Sequence, residues 1–409
     1  MEPLLSRLRA VPHLPARAVL ILSALGFTVA LGGLWWDGAW HRTFPFEEFW
    51  SPPHLVLYAG VLVALSAASG ALLEPVRRAF NGPAFPLPPL SVRFPVGLLL
   101  LALGTLMALF SGMVDSVWHE RLKGGESAYS LPHNLTISGG LLAALGILSG
   151  ALLLRDKTDL DRRVLDFGIL AFGAGLAAGL IRYVGSFAVT RADYIASLSN
   201  PALQADLPAL ALRRTTVEWN WTADNPLWAP LAITLALATP LAMAQALRPR
   251  RWSATLSLAL LLGGLLAFTA AILAVGQNPS YRFTLAFGLP LAILADFGER
   301  LRARSPAPGA GEPEAPLPFR RGLPLWALAG LSLGLLHNAL YGWSFPGLLL
   351  AAGGGALGFA AARGLVRLIL RPSPAVLVAG LSLLAAVLPV AAGGLDIWIR
   401  YGSYWWLFG

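Results

Sequence analysis

Between Phe94 and Val114 the chain carries no charged residue, and comparable apolar runs recur along its whole length. A run of roughly 20 apolar residues spans a bilayer core as a helix. In hydrocarbon, only a helix or a closed barrel can satisfy every backbone polar group. About eleven such segments can be marked, over 18–36, 54–73, 94–114, 134–154, 165–187, 227–246, 253–275, 282–298, 323–341, 345–362 and 374–394. The expected fold is all-α and polytopic. Composition agrees: only 12% of the residues are charged, against about 25% in soluble domains.

Several classes of chemistry drop out at once. The 409 residues include no cysteine, which removes disulfides, thiolate metal sites and iron–sulfur ligation. Four methionines are too few for a methionine-rich copper(I) relay. The net charge of +9 comes from bases scattered at segment ends, so no nucleic-acid footprint is expected. Placing the N-terminus inside puts most Lys and Arg on the cytoplasmic side, which predicts an N-in, C-out protein of the cell (inner) membrane. Arg7, Arg9 and Arg17 precede the first apolar run as in a signal sequence. That run ends in Leu34-Trp35-Trp36-Asp37 without a small-residue cleavage site, so it is expected to be retained.

One unit occurs twice. Asp37-Gly-Ala-Trp40-His41 is followed by Ser51-Pro-Pro-His54, and Asp115-Ser-Val-Trp118-His119 by Ser130-Leu-Pro-His133. Each copy has an apolar segment on either side, so each is expected to form a helical hairpin. Asp and His four apart share a helix face. The second His opens the next helix, whose first turn accepts the preceding Pro. Three potential ligands thus gather at each tip: Asp37, His41 and His54, and Asp115, His119 and His133. With alternating topology both tips face outward, as does His337 near the outer end of the ninth span.

Two imidazoles and a carboxylate without thiolate suit copper, zinc, iron or manganese, and leave coordination positions open. A single copy would be better explained by polar caps and a Trp anchor at the membrane interface. Two copies in the same order on one face favour a metal site. Trp40 and Trp118 would pack beside the sites and limit water. Glu120, next to His119, is a candidate for orienting it. Glu47, Glu48 and Glu126 are more simply solvated loop charges. His337 is an accessory candidate; a lone His near a helix end is more often an interfacial hydrogen-bonding group.

The spacing Asp37-x3-His41-x12-His54 resembles a copper triad in the C subunit of the copper membrane monooxygenases, the particulate methane and ammonia monooxygenases. That subunit has a second triad, Asn-x3-His-x13-His. His119 and His133 match it, with Asp115 standing where the family has Asn. The resemblance covers about residues 18–155. It implies a copper-binding oxidoreductase that acts with dioxygen on a small apolar substrate, alongside other membrane or periplasmic redox subunits. It assigns the metal to Asp37, His41, His54, Asp115, His119 and His133 and leaves the catalytic group open. The family's C subunit is shorter and works with separate A and B subunits, and the B subunit's soluble copper domains have no counterpart here.

The chain is expected to divide into a hairpin module over 1–160, a central module over 161–298 with a long outer loop at 188–226, a Pro/Ala/Gly-rich cytoplasmic linker at 299–322, and a C-terminal module over 323–409. The alternative function is a metal-ion transporter or metal-handling protein using the same outer-face His and Asp residues. It would need a polar route through the bilayer, and the spans offer few charges for one. A third reading, an anchor for haem or quinone, places paired His inside spans, whereas these stand at span ends.

Overall fold

The computed structural model describes residues 14–43, 49–80, 84–87, 92–122, 130–154, 228–247, 319–370 and 374–401, with isolated positions between 274 and 297. The expected span at 165–187, most of 253–275 and 282–298, the loop 188–226 and most of the linker 299–322 lie outside these residues. The first four helices are α1 (Leu14–Thr43), α2 (Pro52–Ser69), α3 (Val96–Leu122) and α4 (Leu131–Leu153). Further along are α5 (Trp228–Leu247), α6 (Phe319–Tyr341), α7 (Phe345–Leu370), α8 (Pro374–Ser382) and α9 (Leu388–Tyr401). Among the described residues, five helical stretches are long and apolar enough to cross a membrane: Ala16–Asp37, Pro52–Leu72, Val96–Trp118, Leu131–Ala151 and Phe345–Leu368.

Helices α1 and α2 form one hairpin and α3 and α4 another. Their outer faces carry exposed apolar side chains suited to lipid, among them Leu25, Val29, Leu62, Leu106 and Phe110. Helix α4 is the centre of the bundle, with 89% of its span buried against 39–56% for the other three. Its neighbours include α9, where Gly393 presses on the backbone of Leu131.

Each hairpin closes on small residues. A Cβ at Gly26 would lie 2.6 Å from the Ala64 nitrogen and 2.7 Å from the Gly60 oxygen; one at Gly60 would lie 2.3 Å from the Ala30 nitrogen. In the other hairpin, a Cβ at Gly104 would meet Ala143 at 2.3 Å and Gly139 at 2.5 Å, and one at Gly139 would meet Ala108 at 2.7 Å. Counted from the motifs, these are the same places. Gly26 and Gly104 stand eleven residues before Asp37 and Asp115, and Gly60 and Gly139 six residues after His54 and His133. Without a hydrophobic force between helices in lipid, such backbone-close packing drives their association.

The segment joining the hairpins departs from the all-α expectation. It holds a turn of helix (Glu74–Arg78) and an antiparallel pair, β1 (Ala84–Leu87) and β2 (Val92–Pro95). Two strands have only edges, where Pro86 and Pro95 can sit without breaking a ladder. Arg77 ties this end together, its guanidinium donating to the carbonyls of Ala71 and Leu72 and lying over the Phe94 ring. Between α8 and α9 the helix widens to a π turn (Leu383–Val387). Pro389 would clash with the carbonyl four residues back, that of Ala385, and the wider turn relieves this.

Candidate metal centre

Helix α1 runs on past the apolar segment to Thr43, so Asp37 and His41 lie one turn apart on continuous helix. No proline stands between Trp35 and Thr43, and the helix runs through Gly38. Likewise α3 continues to Leu122 and carries Asp115, Trp118, His119 and Glu120. At the start of α2 and α4, Ser51 and Ser130 stand at the N-cap with extended backbone (ψ 150° and 161°), and Pro occupies the first turn. His54 and His133 are thereby delivered to the same end of the bundle. Tyr58, one turn beyond His54, meets Gly112 near Asp115, while Leu34, near Asp37, packs against the cluster of Ile137, Leu141 and Ala392.

The structure brings Asp37 and His54 together. Nε2 of His54 lies 3.2 Å from Oδ1 of Asp37, and both side chains are buried. On the other edge of the ring, Nδ1 is 3.0 Å from the carbonyl oxygen of Phe49. A carbonyl can only accept, so Nδ1 carries the hydrogen and donates it. In the neutral ring Nε2 then presents its lone pair to a carboxylate oxygen. Two lone pairs repel, so the geometry calls for a positive charge shared by the two atoms, either a proton on Nε2 or a cation.

A metal ion fits this pair. Nitrogen and oxygen ligands each about 2.0–2.2 Å from one ion sit roughly 3 Å from each other, so His54 and Asp37 already have the spacing of neighbouring ligands. The Nδ1–H to carbonyl bond is the usual way a ligating His is oriented. Among the described residues no three His, Asp or Glu side chains converge. His41 stands one turn beyond Asp37, and its side chain lies outside the described set, as do those of His119 and Glu120.

The second motif is held differently. Nδ1 of His133 lies 2.7 Å from the Ser130 hydroxyl, and the ring is half-buried. Asp115 is buried near the end of α3. Where Gly33 lets α1 press against Leu57 in the first hairpin, Ser111 instead bonds Thr136 across the second at 2.6 Å.

Aromatic rings crowd the first motif. Trp40 meets Trp36 edge-on at 6.1 Å, and the His54 ring lies 5.8 Å from Tyr58 and 6.3 Å from Phe49. Trp118 is half-buried beside the second motif. His337 is fully buried in α6, which packs on α7 and α5. Its neighbour Asn338 is also buried and donates to the Ser344 carbonyl. Glu47, Glu48 and Glu126 lie outside the described residues.

Two contributors were missed from sequence. The Phe49 carbonyl has no signature, because every residue offers one. Tyr58 could have been found by aligning the two copies, since Ile137 stands at its place four residues after the second His. Compared with protein-family models, curated proteins and solved structures, the chain matches none of them.

Proposed function

We propose that this is a multi-pass protein of the cell membrane, with about eleven spans, N-terminus inside and C-terminus outside, built around a duplicated hairpin that binds metal at its outer tips. Asp37, His41 and His54 hold the principal ion; Asp115, His119 and His133 hold a second. The modules 1–160, 161–298 and 323–409 follow from this arrangement, with 299–322 linking the last two on the inner side. The observation that carries the reading is the buried Asp37–His54 pair, whose Nε2 is turned toward the carboxylate by the Phe49 carbonyl.

The motif resemblance makes the metal copper and the protein an oxidoreductase of small apolar molecules taken from the bilayer, working with separate redox subunits. Bound copper would supply one-electron redox chemistry and activation of dioxygen. The chain's own part is to hold and shield. Phe49 orients His54, Asp37 supplies an anionic ligand, and Trp36, Trp40 and Phe49 provide apolar walls against water. Asp115 makes the second motif more anionic than the family's Asn would, favouring a divalent ion there.

Metal analysis of protein purified without chelator, with an electron paramagnetic resonance spectrum of the oxidised sample, tests this. The expected result is copper in the parent and loss of most of one equivalent in both Asp37→Asn and His54→Ala. Asp115→Asn should weaken the second site and leave the first filled. Parent-level copper in both first-motif variants would overturn the assignment.

A further inference from the structure

We infer that Tyr58 is a positioning residue of the first motif, and that the space Gly112 leaves for its ring makes the two motifs chemically unequal. The inference deepens the proposed metal site and rests on that reading for its copper arm alone. Tyr58 follows His54 by one helical turn, with ring centroids 5.8 Å apart and planes tilted by 33°. Phe49 closes the group, 5.3 Å from Tyr58 and 6.3 Å from His54. The imidazole therefore has a pair of adjoining rings beside it, a carbonyl at Nδ1 and Asp37 at Nε2.

The far side of the Tyr58 ring rests on Gly112 of the other hairpin. A Cβ there would begin 3.2 Å from the ring's Cε1 and 3.7 Å from its hydroxyl oxygen. In motif register, Tyr58 corresponds to Ile137 and Gly112 to Leu34. Leu34 packs against the cluster that contains Ile137. So at equivalent register one side has Leu34 on the aliphatic cluster that includes Ile137, and the other has the edge of an aromatic ring against a glycine. Packing at this register does not need a ring, since aliphatic side chains serve at the equivalent place in the other pairing. Moving the volume onto α2 has one local effect: it places a flat ring beside His54. That ring restricts rotation of the imidazole and keeps Nε2 directed at Asp37.

The test exchanges one contact for the other. Tyr58→Ile combined with Gly112→Leu restores the aliphatic pair and preserves packing, where Tyr58→Ile alone risks a cavity. Tyr58→Phe keeps the ring and drops the hydroxyl. Metal-free protein labelled with nitrogen-15 histidine in lipid nanodiscs reports the His54 tautomer directly. The parent and Tyr58→Phe should each show a single His54 species with Nδ1–H bonded to the Phe49 carbonyl, and the double variant a mixture. Copper titration should show a loss of affinity at the first motif of about 10–100-fold in the double variant, the usual size for a residue supporting a ligand, with the second motif unchanged. A double variant with the parent's His54 signal and affinity would overturn the inference. So would Tyr58→Phe behaving like the double variant, because the hydroxyl would then be the active part. If the nitrogen signals respond as expected while copper never depends on Asp37 or His54, the positioning role stands and the metal assignment falls.

Discussion

His54 and His133 occupy the same place in two hairpins that share their Ser, Pro and Asp, yet each ring is held by a different kind of partner. Phe49 offers His54 a carbonyl, which only accepts and so fixes which nitrogen bears the hydrogen. Ser130 offers His133 a hydroxyl, which can donate or accept and so does not by itself set the tautomer. The first ring is buried and flanked by aromatic residues; the second is half-buried. Identical motif residues thus leave two imidazoles in different surroundings. The difference comes from groups outside the motif.

The sharpest way to break this contrast is to remove each imidazole. His54→Ala leaves the Asp37 carboxylate buried without its partner ring and should cost about 3–5 kcal/mol. His133→Ala removes a bond to a hydroxyl and should cost about 1 kcal/mol. Unfolding by denaturing detergent from bicelles measures both, and equal losses would show that the two rings are held alike. A smaller effect tests where the hairpins agree. Gly60→Ala and Gly139→Ala each force a Cβ onto facing backbone, and overpacking of this kind costs about 1–3 kcal/mol. The same unfolding assay should give similar values, and tolerance at only one position would end the equivalence of the two crossings. The smallest effect belongs to the Ser111–Thr136 bond, which only the second hairpin has. Ser111→Ala should cost about 0.6 kcal/mol, the average for such bonds in membranes. Thr136→Val added to it should cost little more if the pair acts as one bond.

Much of the helical frame was legible because an apolar run long enough to span leaves the backbone little choice. The helix ends were less so. The spans marked at 18–36 and 94–114 follow hydropathy, but the helices continue to Thr43 and Leu122, since leaving the apolar region does not itself break a helix. The Pro-rich join pairs β1 with β2, which hydropathy alone does not show. Of the site, the Asp and His positions were visible as a repeated spacing. What orients them was not. A backbone carbonyl is anonymous in sequence, and the Tyr58–Gly112 contact joins residues in different hairpins. Only a comparison of the two copies reveals the exchange of an aromatic–glycine pair for an aliphatic one.

The Gly–Ala crossings have a consequence for how the chain is made. Gly26 and Ala30 meet Gly60 and Ala64, and Gly104 and Ala108 meet Gly139 and Ala143, so the closest contacts join consecutive helices. Contacts between neighbours in the chain form early, before distant segments have been synthesised. The first hairpin can lock as soon as its second helix leaves the translocation machinery, bringing Asp37 and His54 together while most of the protein is still untranslated. A segment that completes its own packing in this way is also one that can be copied within a gene and fold again at its new position.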